Sequence, residues 1–254
     1  MLRLENITVS FGGLCAVKDL SLEVLPRRII GLIGPNGAGK TTVFNAITGV
    51  YRPQSGNVYL DGRAITHLPT HAITRLGIGR TFQNIRLFKN MSVLDNLKVA
   101  LHQNYRYSLL EAFFRVGRTR FTERLIDEEA MRILHFFGLA ETASRLAGGL
   151  PYGQQKYLEI ARAYATHPKV LLLDEPAAGL NETEIQELMK RVHLTMEQTG
   201  AGVLLIEHRM RVVMGICENI HVLDHGLKIA EGTPDEIRDN PRVIEAYLGE
   251  EVKG

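Results

Sequence analysis

The sequence predicts an α/β protein: a parallel-sheet core, an antiparallel β part at the N-terminus and an inserted helical subdomain. Three observations carry this. The stretches "KVLLLDEP" (169–176) and "AGVLLIEHR" (201–209) are continuous apolar runs ending in polar residues. Such runs mark parallel strands buried on both faces. The opening of the chain instead alternates in parity, as half-buried strands do. Residues from about 85 to 165 lack strong strand signals and show helical spacing.

At the N-terminus, Leu2 and Leu4 share one parity, and Ile7, Val9 and Phe11 the other. "LSLEV" (20–24) and "NVYL" (57–60) alternate as well, with Gly-Gly and Asp-Gly turns nearby. Antiparallel strands follow from that pattern. "RIIGLIGPNGAGKTT" (28–42) then runs from apolar residues into glycines and a helix start. In the middle, "DNLKVALHQ" (95–103) and "DEEAMRILHFFGL" (127–139) are helical, with Gly138 as a C-terminal cap. The basic-aromatic stretch 104–121 reads as an amphipathic helix packed on its own subdomain, ahead of a contact with a partner protein. In the tail, Thr233-Pro234-Asp235-Glu236 is a capping box with proline at the first helical position. Asn240-Pro241 opens another turn before "VIEAYL". One domain over 1–254 results, with an α/β core at 1–84 and 166–254 and a helical subdomain at 85–165.

The bulk properties bound the function. The chain has 254 residues, 45% of them hydrophobic and 23% charged, enough for a sizeable core. A formal net charge of +2 gives no electrostatic footprint for nucleic acid or anionic lipid. Cys15 and Cys217 have no metal-ligand spacing and fit a reducing, cytoplasmic compartment. No leader peptide is read in "MLRLENITVSFGG", and no apolar run approaches the roughly 20 residues that cross a bilayer.

Gly34-Pro35-Asn36-Gly37-Ala38-Gly39-Lys40-Thr41 fits the phosphate-loop pattern, with a strand before and a helix after. Its glycines let backbone N–H groups turn toward phosphate oxygens, and the helix start adds a positive dipole end. Lys40 neutralises the outer phosphates, the Thr41 hydroxyl can ligate Mg²⁺, and Thr42 can reach an inner phosphate. Asp174 and Glu175 end an apolar strand, where ligands collect in open α/β sheets. Asp174 is placed to support Mg²⁺, and Glu175 to polarise the water that attacks the γ-phosphorus. His208 ends another strand at the same sheet edge, which favours a γ-phosphate contact; Glu207 beside it has no assigned role. An Asn-Lys-x-Asp run that reads guanine is absent. Phe11 ends an early strand and can stack on a base or pack in the core. "LPYGQQK" (150–156) is a second turn followed at once by a helix, a further possible anion site.

In order, "GPNGAGKTT", "RTFQN", "LPYGQQ", "LLLDEP", "AGLN" and "EHR" resemble the ATP-binding-cassette (ABC) ATPase family, across essentially the whole chain. The resemblance implies a P-loop NTPase, RecA-like core in the ABC ATPase fold, with ATP and Mg²⁺ as ligands. It puts Phe11 at the adenine-stacking position and Val17 beside the nucleotide. Gln83 falls at the glutamine that reaches Mg²⁺ and the attacking water, Glu175 at the catalytic carboxylate and His208 at the switch histidine. It further implies that two chains sandwich two ATP molecules head to tail. Tyr152, Gly153, Gln154 and Asn181 would then meet the partner's nucleotide in trans. Two departures stand out. The common signature Leu-Ser-Gly-Gly-Gln is here Leu150-Pro151-Tyr152-Gly153-Gln154, and the usual aspartate of the crossing loop is Asn181. Pro151 has neither hydroxyl nor N–H to donate, which shifts the anion contact to Gly153 and the helix N-terminus.

More narrowly, "GIGRTFQNIRLFKNMSVLDNL", "DEPAAGLN" and "PRVIEAYLGEE" resemble the LivG-type ATPase of branched-chain amino acid importers. That implies a second cassette (a homo- or heterodimer), integral membrane permease subunits, and an extracellular or periplasmic solute-binding protein acting indirectly. It implies a peripheral position on the inner face of the membrane and no nucleic-acid partner. Urea, amide and other amino acid importers have similar ATPases, and a soluble non-transport ABC ATPase is the rival class.

Overall fold

The computed structural model describes residues 1–104 and 116–251. Most of the basic-aromatic stretch lies outside the described residues, so the expectation of a helix there is met only from Val116 onward.

Two sheets form the frame. The first holds β1 (Leu2–Phe11), β2 (Leu14–Val24), β4 (Ser55–Leu60) and β5 (Arg63–Ala64), in the order β2-β1-β4-β5 and antiparallel throughout. The second holds β3 (Ile29–Ile33), β6 (Ile78–Arg80), β7 (Val170–Asp174), β8 (Gly202–Ile206), β9 (Asn219–Asp224) and β10 (Leu227–Gly232). Its order is β10-β9-β3-β8-β7-β6; β9 to β6 run parallel, and β10 is an antiparallel edge.

The parity change along β1 has a local cause. Asn6 adopts φ 49°, and its backbone N–H donates to Ser21 Oγ at 2.9 Å while Ser21 Oγ donates to Asn6 Oδ1 at 2.8 Å. The ladder shifts register there. Leu4 and Ile7 therefore both point into the core, although they are three residues apart.

Around the sheets lie α1 (Lys40–Ile47), α2 (Thr70–Leu76), α3 (Val93–Leu101), α4 (Val116–Phe136), α5 (Tyr152–Tyr164), α6 (Glu182–Thr199), α7 (Met210–Ile216), α8 (Pro234–Arg238) and α9 (Pro241–Glu251). Gly138 has φ 67° just beyond α4, as a left-handed cap requires. Thr233 and Glu236 close the expected capping box at the start of α8.

The parallel strands are buried on both sides, which is why they read as unbroken apolar runs. On one face, Val170, Leu172, Leu204 and Ile206 pack with Val43, Phe44 and Ile47 of α1 and with the antiparallel strands. On the other, Leu171, Leu173, Val203 and Leu205 join one continuous apolar cluster with Leu97, Leu134, Leu158, Leu188 and Val192 from α3 to α6. The helical segment thus shares its core with the sheet. Full burial of each such leucine contributes about 1.5–3 kcal/mol.

Candidate functional site

The phosphate loop follows β3 directly. Gly34 has φ 147° and Gly39 φ 103°. A Cβ on Gly34 would lie 2.0 Å from the Leu223 carbonyl oxygen, and one on Gly39 would lie 2.3 Å from that of Ala16. Only glycine fits either place. Lys40, the first residue of α1, is buried, and its Nζ donates to the carbonyls of Gly34 and Pro35, both at 2.7 Å. The cation is thereby folded into the loop it is expected to serve. Ala38 is buried, whereas Asn36, Gly37 and Thr41 are exposed at the rim and Thr42 is half-buried. Val17 is fully buried and packs on the loop at Gly39. Phe11 is 45% exposed and meets Tyr51 edge-on, with ring centroids 4.9 Å apart.

β8 separates β3 from β7, so the ends of all three strands share one edge of the sheet. Asp174 closes β7. Glu175 follows in a left-handed conformation with φ 47°, held by its N–H donating to the Ile206 carbonyl at 2.9 Å. A non-glycine residue kept there is strained, a feature that gathers at functional sites. Two side chains converge on it. His208 Nε2 lies 2.7 Å from Glu175 Oε1, and Gln83 Nε2 donates to Oε2 at 3.1 Å. A carboxylate only accepts, so His208 Nε2 carries the proton of the first contact.

No local sequence signal marks Arg80, yet it joins the two halves of the site. Its Nη2 donates to Asp174 Oδ2 at 3.2 Å, and its Nη1 donates to Asn45 Oδ1 on α1 at 2.7 Å and to Thr48 Oγ1, just past the end of α1, at 3.2 Å. The pair is buried, with side chains 8% and 4% exposed. Burial raises the Asp174 carboxyl above its usual range and the Arg80 contact partly offsets this. Glu207 also acquires a place. It is buried, with Oε1 accepting from Ala177 N at 2.6 Å and Oε2 from His208 N at 3.3 Å. It therefore ties His208 to the loop after β7. Burial raises its carboxyl as well.

The signature residues start α5, with Pro151 as the residue before the first turn. Tyr152 is 47% exposed and packs on Gly179. Gly153 is buried against Glu184, where an added Cβ would lie 2.7 Å from Oε1. Gln154 is half-buried, and its Oε1 is shielded without a hydrogen-bond partner. Asn181 caps α6: its Oδ1 accepts from Glu184 N at 3.0 Å, and its own N–H donates to Glu184 Oε2 at 2.9 Å. The signature and the 178–181 loop thus form one surface within the chain, and the Asn181 oxygen already has an intrachain role.

Hydrogen-bond donors for phosphate, a positioned carboxylate and a histidine on one sheet edge are the parts needed to hydrolyse a phosphoanhydride. The sequence matches the family model described as ABC transporter over residues 17–178. A second model, described as branched-chain amino acid ATP-binding cassette transporter, matches residues 228–253. Over 250 residues the chain is 48% identical to the high-affinity branched-chain amino acid transport ATP-binding protein BraF of Pseudomonas aeruginosa, covering 98% of each. It is 45% identical to LivG of Escherichia coli, with the same coverage. Among solved structures, an ATP-binding cassette of an ABC transporter in its ADP conformation aligns with TM-score 0.84 at 33% identity, covering 98% of both chains. A dimeric cassette in a post-hydrolysis state with ADP and Pi aligns with TM-score 0.77 at 26% identity, covering 92% of this chain and 99% of that one. Ordered motifs, sheet topology and relatives agree: the chain belongs to the ABC transporter family, as one of its ATP-binding cassettes.

Proposed function

We propose that the chain is the ATP-hydrolysing subunit of a membrane importer that takes up branched-chain amino acids, working as a head-to-tail pair of cassettes. The observation that carries this is the convergence of Gln83 and His208 on the two oxygens of Glu175, at the sheet edge where the phosphate loop begins. The relatives named above supply the solute class.

In this reading the loop N–H groups from Asn36 to Thr42 and the Lys40 ammonium hold the β- and γ-phosphates, Phe11 flanks the base, and the buried Val17 backs the loop at Gly39 instead of touching the nucleotide. Glu175 orients and polarises the attacking water. His208 holds that carboxylate in place and faces the γ-phosphate. Thr41, Asp174 and the Gln83 amide offer oxygen donors of the kind Mg²⁺ takes beside phosphates. The metal would neutralise charge on the phosphate oxygens. Across the dimer, Tyr152, Gly153, Gln154 and the Asn181 amide group meet the partner's nucleotide, so closure completes each site.

None of the described helices is long and apolar enough to cross a membrane. The proposed place is the cytoplasmic face, docked on permease subunits, with a solute-binding protein acting from outside. Co-purification with the permease followed by ATPase assays tests the whole reading. Leucine, isoleucine or valine presented with the binding protein should stimulate turnover. Stimulation by urea or an amide instead would replace the solute. A chain that travels with ribosomes or DNA would overturn the transporter reading.

A further inference from the structure

The flank of α5 holds three charged residues at intervals of three, Lys156, Glu159 and Arg162, and all three contact the backbone around Gln83. Lys156 Nζ donates to the Gln83 carbonyl at 3.2 Å. Glu159 Oε1 accepts from the N–H groups of Phe82 and Arg86, both at 3.3 Å. Arg162 Nη1 donates to the Arg86 carbonyl. Arg86 also stacks over the Phe82 ring at 4.0 Å. Lys156 and Glu159 are buried, with 1% and 6% exposure. Charges are costly to bury and packing alone does not call for them. Here each is matched to a backbone group of one short loop.

That loop carries Gln83, whose side chain reaches Glu175. α5 begins with Tyr152 and Gly153 at its outer end. One rigid helix therefore presents the signature at its tip and grips the glutamine loop on its side. We infer that Glu159, supported by Lys156 and Arg162, is a positioning residue that sets the reach of Gln83 to Glu175 and so ties hydrolysis in one chain to the placement of its own signature helix. The inference rests on the reading of Gln83 and Glu175 given above. The hydrogen bonds of Glu159 run to backbone amides of the loop. It acts by fixing the Phe82 and Arg86 amides, between which Gln83 is held.

The test is a double-mutant cycle on the purified cassette. Glu159→Ala should lower kcat about tenfold, because a small misplacement of a catalytic group is costly, and leave KM for ATP within about twofold. Glu159→Asp, one methylene shorter, should show the same direction in a side chain that remains acidic; it carries the test if the alanine variant does not fold. Glu159→Gln keeps an acceptor oxygen and should restore most of kcat. Amide exchange at Phe82 and Arg86 should quicken in the alanine and aspartate variants. Adding Glu159→Ala to Gln83→Ala should bring no further loss, since both act through one side chain. Unchanged kcat in the alanine or aspartate variant, or losses that multiply in the double variant, would overturn the inference while leaving the site reading intact. If Gln83→Ala itself leaves kcat untouched, the site reading fails, and this inference with it.

Discussion

Glu175 is held by both oxygens at once, with His208 Nε2 at 2.7 Å from one and Gln83 Nε2 at 3.1 Å from the other. The two partners come from different strand ends, after β8 and after β6, so the carboxylate is where they meet. Glu175→Gln keeps size and a hydrogen-bonding oxygen but removes the charge that polarises water. Turnover should fall by at least about 100-fold, while ATP-driven dimerisation, followed by light scattering, persists. Near-normal hydrolysis in this variant would refute the assigned role.

Arg80 and Asp174 form a buried pair that also reaches Asn45 on α1 and Thr48 at its C-terminal cap. Arg80→Met would leave Asp174 buried without its cation. Removing one partner of such a pair costs about 3–5 kcal/mol. Urea unfolding should show a loss of that size, and a loss below about 1 kcal/mol would mean that water replaces the guanidinium.

At the signature, Pro151→Ser restores a hydroxyl at the residue before α5 and should change ATP-driven dimerisation only modestly. Gly153→Leu is a different matter, because a first side-chain carbon already meets Glu184 Oε1 at 2.7 Å. The larger group should block dimerisation with ATP while leaving the monomer's ATP affinity intact. Both variants can be compared by size-exclusion chromatography with and without ATP, and a Gly153→Leu chain that still dimerises and hydrolyses would show the loop to be misassigned.

His221 gives stability a pH dependence. It lies buried on β9, 3.4 Å from Glu231 and near Lys228. Burial lowers its pKa from 6.5 to about 4, against the pull of Glu231. The folded state thus binds this proton less readily than the unfolded chain. Its contribution is complete above pH 6.5 and declines as the pH falls toward about 4. Thermal melts between these values should drop steadily, and His221→Gln should flatten that slope. An unchanged slope would place the proton elsewhere.

Much of the site could be read from the chain because its signals are local. The loop 34–41, the Asp174-Glu175 pair at a strand end and the capping box at Thr233 each need only a few neighbouring residues. What escaped depends on distant contacts. Nothing near Arg80 in sequence indicates Asp174, and nothing near Glu207 indicates Ala177. The hairpin of β9 and β10 turns on His225 and Gly226, both with positive φ. Histidine is an unusual first residue for such a turn, so no hairpin signal stood out. β6 has only three residues, too few for periodicity. The switch of facing at Asn6 was visible as a change of parity, but its cause required the Ser21 contacts across the sheet.

The apolar cluster that runs unbroken from α3 into β7 and β8 bears on how such cassettes can be recombined. A chimera that exchanges residues 85–165 for those of a relative would draw its seam through side chains that interlock, not through a linker. Heating such a hybrid should expose the mismatch as lowered cooperativity across the whole chain. Successful grafts would need Leu171, Leu173, Val203 and Leu205 to travel with the helices they touch.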